Sequence, residues 1–531
     1  MSVSFGDVFD SVARAIEDGA PAVICDGEVT TWGDFDHRSN ALARHLIGLG
    51  LEPGAKVSLY MRNGPDYMVA FAAALKARLA PVNINYRYGV DEVAYLLDNS
   101  DSEILIFDVE FADLIDELRG RCDLKDWISA RGHQPGASAL SDIYAEHDGS
   151  TLDLHRSPDD LFLLYTGGTT GMPKGVMWPS SALWGTLSAS RAARPDDPPP
   201  MTLPDLEAQI RSGEGRVRYH IAPPLMHGTG LFAALSVMSR GGSIVCSARP
   251  SFDPEATVAE LDELKCDGVV IVGDAFARPI LDVLRRTLGR YDVSHMKMVV
   301  SSGMMWSPEV KLGLLEFMPD AVMSDGLGAS ESAGIAYSVV TRDAPPSEAR
   351  FNLANAIVLR PDDLTPVEPG SGEIGIIAKS GDIPLGYYKD PERTARTYVS
   401  INGVRHILGG DHALVEADGS IRLLGRGSHC INTAGEKVYP EEVEEALKTH
   451  PQVTDALVFG IADDRFGQSV AAVTAIEGEV SEADLIAHVR GQLAPYKAPR
   501  TVVAVAAVPR AVNGKADYEE AKRVFAAARA S

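Results

Sequence analysis

Apolar residues fall into two rhythms along the chain. In 5–20 they recur every three or four positions, which predicts an amphipathic helix. Residues 22–25 and 29–32 are short apolar or β-branched runs separated by Asp26-Gly27, a pair suited to a tight hairpin turn. A helix is predicted at 33–49. Strands at 57–61, 80–84 and 104–107 then alternate with helices at 66–80 and 91–98. Alternation at this spacing predicts parallel βαβ units.

The rhythm changes at 191–217, where Pro, Asp and Gly accumulate. This stretch reads as a loop or lid insertion with a short helix at 204–211; a plain surface loop is the equal alternative. The α/β pattern resumes to about 335. Short strands with Gly and Pro turns fill 353–424, predicting a small β subdomain. The tail carries strands at 456–459 and 470–475 and helices at 441–448 and 482–493. Neither an internal repeat nor a low-complexity tract interrupts this order.

At 531 residues the chain is too long for one ordinary core, so more than one domain is expected. The expected fold class is α/β. A large N-terminal domain of α/β subdomains plus a small β subdomain spans 1–426, and a mobile small α/β C-terminal domain spans 427–531. Asp and Glu (74) outnumber Lys and Arg (49), a formal net charge of -25, which disfavours nucleic acid and anionic membranes as partners. The five cysteines are scattered without a Cys-x-x-Cys pair. That argues for reduced thiols in a cytoplasmic protein and against a zinc site. The N-terminus lacks a basic segment leading into an apolar run, so a signal peptide is not expected. No stretch approaches the ~20 apolar residues of a transmembrane helix; peripheral membrane contact stays open.

The chemistry concentrates in Leu163-Leu-Tyr-Thr-Gly-Gly-Thr-Thr-Gly-Met-Pro-Lys-Gly-Val176. A strand runs into glycines whose N–H groups can close on phosphate oxygens. Thr166, Thr169 and Thr170 add hydroxyls, and Lys174 adds a compact cation on a long stem. A Walker A loop needs Ser or Thr after Gly-Lys and a helix beyond. Here Pro173 precedes Lys174 and Gly175 follows it, and Gly175-Val-Met-Trp178 reads as another strand. A Gly/Thr-rich turn without ligand is the bland alternative.

With that loop in place, the chain resembles the adenylate-forming superfamily: acyl-CoA synthetases, firefly-type luciferases and the adenylation domains of peptide synthetases. Later motifs follow in the family's order over nearly the whole chain, and among acyl-CoA synthetases it looks most like bacterial, actinobacterial ligases of long-chain or steroid-like acids. The resemblance implies that Thr166, Gly167, Gly168, Thr169, Thr170 and Lys174 hold phosphate. It implies that His227, in Pro224-Leu-Met-His227-Gly-Thr-Gly230, gates the acyl pocket; as plain structure it would be a His at a strand end. Ser302 and Gly303, with Asp325, Gly326 and Leu327, resemble the walls around adenine. Leu327 stands where the family usually has an aromatic, which removes ring stacking; Asp325 is placed to accept from the adenine amino group. Ser330 would donate to phosphate. Glu331 would hold magnesium, joined by Thr166. Asp411 resembles the ribose-binding carboxylate, Arg426 a ribose or phosphate contact, and Gly435 the close wall of a pantetheine tunnel. The hinge position carries Ser428 where the family often has Asp or Lys. Lys515, in Val508-Pro-Arg-Ala-Val-Asn-Gly514-Lys515, resembles the catalytic lysine that bridges carboxylate and α-phosphate.

The resemblance therefore implies ATP, Mg2+ and coenzyme A as co-substrates or cofactors. A carboxylic acid is adenylated and its acyl group passed to a thiol, with the C-terminal domain taking two arrangements. The absence of an acidic residue at 226–230 favours an uncharged acid, and Phe276, Ala277, Ile280, Gly228 and Gly230 suggest an apolar pocket. The acid is expected to be a medium- or long-chain fatty acid or a bulky polycyclic one. An acyl-AMP ligase loading a carrier protein, and a non-catalytic acyl or nucleotide sensor, are the alternatives. Related enzymes include homodimers, and nothing in the chain decides its assembly.

Overall fold

The computed structural model describes residues 3–166, 172–189, 202–213, 215–303, 306, 308–344, 350–426, 431–438, 440–509 and 517–530. The chain divides into two compact units. The larger comprises 1–86, 93–166 and 175–425; the smaller comprises 426–531 together with 87–92 and 167–174.

The larger unit is built on two sheets. In the first, Ala80–Asn83, Lys56–Tyr60, Ser102–Asp108 and Asp126–Ala130 run parallel, as the βαβ alternation requires. Leu161–Thr166 pairs parallel with Ala80–Asn83. At the far edge Lys174–Pro179 takes Gly386–Tyr387 as an antiparallel neighbour, with Tyr387 opposite Val176. The helix Pro65–Lys76 is apolar nearly all round and buried, as expected of a helix covered on every side.

The second sheet begins with the hairpin Pro21–Cys25 and Glu28–Thr31, turned by Asp26 (φ 49°) and Gly27 (φ 88°). Pro21–Cys25 lies parallel to Ser243–Cys246, and the parallel run continues through Arg218–Ile221, Gly268–Ile271, Met298–Ser302 and Val322–Ala329. There the direction reverses. Ser332–Val340 and Arg350–Leu353 are antiparallel and lead into a β-rich part formed by Ile421–Arg426, Val404–Val415, Ile374–Ser380 and Ala356–Leu359. This is the small β subdomain expected from the turn-rich 353–424 stretch. Its own apolar cluster includes Ile335, Val358, Ile377, Ala413 and Ile421.

The 191–217 expectation falls partly on 190–201, outside the described residues. Beyond them Leu203–Ser212 is a helix opened by a capping box: the Thr202 hydroxyl accepts from Asp205 N–H while Asp205 accepts from Thr202 N–H.

The smaller unit has Val453–Asp463 and Gly467–Ile476 as a long antiparallel pair, with Thr501–Val505 parallel to the second strand and Ile431–Thr433 antiparallel to its start at Gly467. Helices Pro440–Lys448, Glu482–Arg490 and Tyr518–Ala530 complete it. Within this unit Lys497, 3% exposed, lies between the carboxylates of Glu92 and Glu442 at 2.7 Å each.

Candidate active site

The site of the larger unit is assembled at the ends of parallel strands, where side chains project beyond the sheet. Thr166 closes the strand Leu161–Thr166. Two buried asparagines hold a neighbouring loop in place. Asn83 donates to Tyr165 O (3.1 Å) and Met226 O (2.6 Å) and accepts from Tyr165 N–H (2.7 Å). Asn63 donates to Pro223 O (3.2 Å) and accepts from Leu225 N–H (2.7 Å). Strand end and loop are thus tied together, and the loop delivers His227. It is not at a strand end: it is the residue that opens the helix Gly228–Met238. A Cβ on Gly230 would lie 2.4 Å from Pro224 O, so only glycine lets this helix start so close to the loop. Phe276, Ala277 and Ile280 belong to the packed core beneath the helix Asp274–Arg286, with the Phe276 ring 4.5 Å from Phe252.

Ser302 ends the strand Met298–Ser302 directly opposite Gly326. Gly303 follows at φ +94°, a backbone conformation that favours glycine. The Asp325 carboxylate turns to the other face of its strand, where Lys311 Nζ meets it at 3.1 Å and Trp306 lies under the ammonium at 5.1 Å. Burial pushes the Asp325 carboxyl above its ordinary range while Lys311 pulls it back. Asp325 therefore forms an internal ion pair through one of its carboxylate oxygens. Leu327 packs against the apolar cluster of the small β subdomain.

Ser330 and Glu331 form the turn of the hairpin Val322–Ala329 and Ser332–Val340, with Ala329 opposite Ser332. Three side chains hold this acidic turn. Trp178 Nε1 donates to Ser330 O at 2.9 Å, and the Tyr387 hydroxyl donates to Glu331 Oε1 at 3.0 Å. Lys379 Nζ donates to the carbonyls of Ala333 and Gly334, the latter at 3.0 Å. Burial and the nearby Glu331 charge push the Tyr387 phenol up, which keeps it protonated as the donor. Burial pulls the Lys379 ammonium down to about 8, with Asp382 opposing. Asp411 is buried in the strand Val404–Val415.

Among the described residues, no group of three or more His, Cys, Asp and Glu side chains could hold a metal ion. One hard carboxylate, Glu331, suits a divalent ion whose remaining ligands are phosphates and water. Gly167, Gly168, Thr169, Thr170, Ser428 and Lys515 lie outside the described residues, and Arg426 is placed only as the end of the strand Ile421–Arg426. Lys174 begins the strand Lys174–Pro179. Gly435 (φ +84°) sits in the turn between Ile431–Thr433 and Glu436–Val438.

The model of the AMP-binding enzyme family matches residues 9–388, more than half of the chain. The chain is an AMP-binding enzyme. The model of the AMP-binding enzyme C-terminal domain matches 442–515. This AMP-binding enzyme is 38% identical to a medium/long-chain-fatty-acid–CoA/3-oxocholest-4-en-26-oate–CoA ligase of Mycobacterium marinum, over 98% of this chain and 96% of the relative. It is 37% identical, with the same coverage, to the 3-oxocholest-4-en-26-oate–CoA ligase of Rhodococcus rhodochrous. Its fold is that of the amide bond synthetase McbA from Marinactinospora thermotolerans: TM-score 0.83, 24% identity, 98% of this chain and 99% of the other. The o-succinylbenzoate CoA synthetase MenE of Bacillus subtilis gives TM-score 0.78 at 20% identity, covering 97% of this chain and 98% of the other.

The smaller unit of the AMP-binding enzyme carries a cleft of about 570 Å³ lined by Ala434, Phe466, Tyr496, Arg490 and Arg500 among others. The Arg500 guanidinium lies 3.9 Å from the centre of the Phe466 ring. Cationic and aromatic groups therefore share one concave surface. Among the described residues, no helix is long and apolar enough to cross a membrane.

Proposed function

We propose that this chain is an ATP-dependent acyl-CoA synthetase. It adenylates a hydrophobic carboxylic acid, a medium- or long-chain fatty acid or a bulky polycyclic one, and transfers the acyl group to CoA with release of AMP and pyrophosphate. The full-length likeness to ligases of fatty and steroid acids carries this reading. The phosphate-type loop, the acidic turn and the ribose-type carboxylate support it, because they follow one another along the chain in the order of the family's motifs.

In the first half-reaction the substrate carboxylate attacks the α-phosphorus of ATP in line. Thr166, Lys174 and the 167–170 glycines and threonines hold the phosphates, and Asp411 accepts from the ribose hydroxyls. Ser302, Gly303 and Gly326 form a slot for the adenine, with Leu327 giving apolar cover. Glu331, with Thr166, would hold Mg2+, which when bound offsets charge on the departing pyrophosphate. Lys515 stabilises charge where carboxylate and α-phosphate meet, and His227 stands at the entrance for the acid. In the second half-reaction Gly435 gives pantetheine close passage. Arg490 and Arg500 in the cleft of the smaller unit supply positive charge for the anionic end of CoA.

Incubation with ATP, Mg2+ and a panel of carboxylic acids, with and without CoA, tests the reading by mass spectrometry. Acyl-AMP without CoA and a thioester with it is the expected result. Acyl-AMP that persists in the presence of CoA would shift the acceptor to a carrier protein, and no adenylate with any acid would sink the reading. Lys515→Ala is expected to slow adenylation at least 100-fold while leaving thioester formation from supplied acyl-AMP within a few-fold of wild type. Equal loss in both half-reactions would remove the two-arrangement mechanism.

A further inference from the structure

Asn83 ends the strand Ala80–Asn83 and is buried, yet its side chain bonds backbone that is remote in the chain. Val82 pairs with Leu163 in the parallel ladder. Beyond that pair a side chain continues the ladder: the Asn83 amide accepts from Tyr165 N–H at 2.7 Å and donates to Tyr165 O at 3.1 Å. It also donates to Met226 O at 2.6 Å. Its nitrogen faces two carbonyls and its oxygen an N–H, so the amide has one permitted orientation; flipped, its oxygen would meet both carbonyls.

The two backbones it joins lead to opposite partners of the reaction. Tyr165 immediately precedes Thr166, and its ring also lies against the other end of the phosphate loop: a Cβ on Gly175, next to Lys174, would come within 2.6 Å of that ring. Met226 immediately precedes His227, in the loop that follows Arg218–Ile221 of the second sheet. Each partner has further bonds. The Tyr165 hydroxyl donates to Asn99 at 2.8 Å, the Met226 sulfur accepts from Tyr86 N–H at 3.3 Å, and Asn63 grips the loop at Pro223 and Leu225. Of these groups, the Asn83 amide alone bonds both backbones.

We propose that Asn83 is a positioning residue for adenylation: it fixes the spacing between the phosphate loop and the His227 loop, and so aligns the carboxylate of the acid with the α-phosphorus of ATP. The inference rests on the readings of the phosphate loop and of His227 given above. Asn83 acts through backbone, so each substrate keeps its own site when the amide is removed. What is lost is the alignment of one substrate with the other, which matters only while both are bound and unjoined. In the acyl-adenylate a covalent bond already holds the two halves together, and the spacing ceases to limit the rate.

The test measures adenylation, and thioester formation from supplied acyl-AMP, separately on the full-length enzyme. Asn83→Ala is expected to lower adenylation kcat at least about tenfold. The KM values for ATP and the acid, and the rate of thioester formation, should stay within about threefold of wild type. The ratio of the two rates does not depend on how much of the sample is folded, so a destabilised variant still gives the answer. Asn83→Ser, which leaves a hydroxyl and room for a water beside the abandoned carbonyls, gives the same readout if the Ala variant is not recovered. Asn63→Ala frees the same loop without touching Tyr165 and should lower adenylation by no more than about threefold. Equal falls in both half-reactions would reduce Asn83 to a structural residue. Unchanged adenylation, or as large a fall in Asn63→Ala, would likewise overturn the proposal. A wild-type enzyme that makes no adenylate from any acid overturns the underlying reading of the site instead.

Discussion

Lys379 buries its amine beneath the turn that carries Glu331, and only 6% of the residue meets solvent. Its folded-state pKa is about 8, against 10.5 ordinarily. Between those values the unfolded chain binds more protons than the folded one, so stability rises with pH across that window. Below pH 8 the buried ammonium costs folding on the order of 3 kcal/mol. Unfolding in urea at pH 7.5 and 9.5 should therefore show wild type gaining about 2 kcal/mol relative to Lys379→Met; no gain would mean that the amine stays charged in the fold. Nothing in the sequence marks Lys379, Tyr387 or Trp178, because each reaches the acidic turn from a strand remote in the chain. Glu331 was singled out only through the resemblance of Ser330-Glu331 to the family's acidic motif, and the structure places it at the hairpin turn. The partner of Asp325 was not legible either: Lys311 stands 14 residues before it, on a helix whose packing against this strand no local pattern reveals.

Local pattern foretold elements well and their partners poorly. The Asp26-Gly27 turn and the helix Trp32–Gly48 lie where period and turn chemistry place them. The Leu203–Ser212 helix also matches, because Thr202 and Asp205 form a cap readable in sequence. The Gly228–Met238 helix was missed: it has two early glycines, and its apolar residues are not confined to one face, as expected of a buried helix. Glycine has opposite meanings in two helices, and a pair of substitutions exposes the difference. Gly230→Ala pushes a methyl into Pro224 O and should cost about 1–3 kcal/mol while displacing His227. Gly48→Ala meets nothing within 4 Å and should be neutral or stabilising by up to about 1 kcal/mol. Thermal melting of the two variants checks this; equal effects would show that the loop before Gly230 yields freely.

Two compact units imply that unfolding need not be a single step. The smaller one depends on Lys497, since replacing it with Met leaves Glu92 and Glu442 as buried carboxylates without their cation. A loss of about 3–5 kcal/mol is expected at pH 7.5. It should shrink towards pH 5, because burial already pushes the Glu442 carboxyl up and protonation removes the repulsion. Urea unfolding at the two pH values measures it, and a pH-independent loss would assign the effect to packing alone. In the larger unit, the pairing of Val23 with Ile244 and Ile24 with Val245 sets a different clock. These partners are about 220 residues apart, so at about 5–20 residues per second a ribosome needs roughly 10–45 seconds to deliver the second after the first. Throughout that delay the nascent hairpin has no strand to join and its apolar edge is open to other chains, a surface that a holding chaperone could cover.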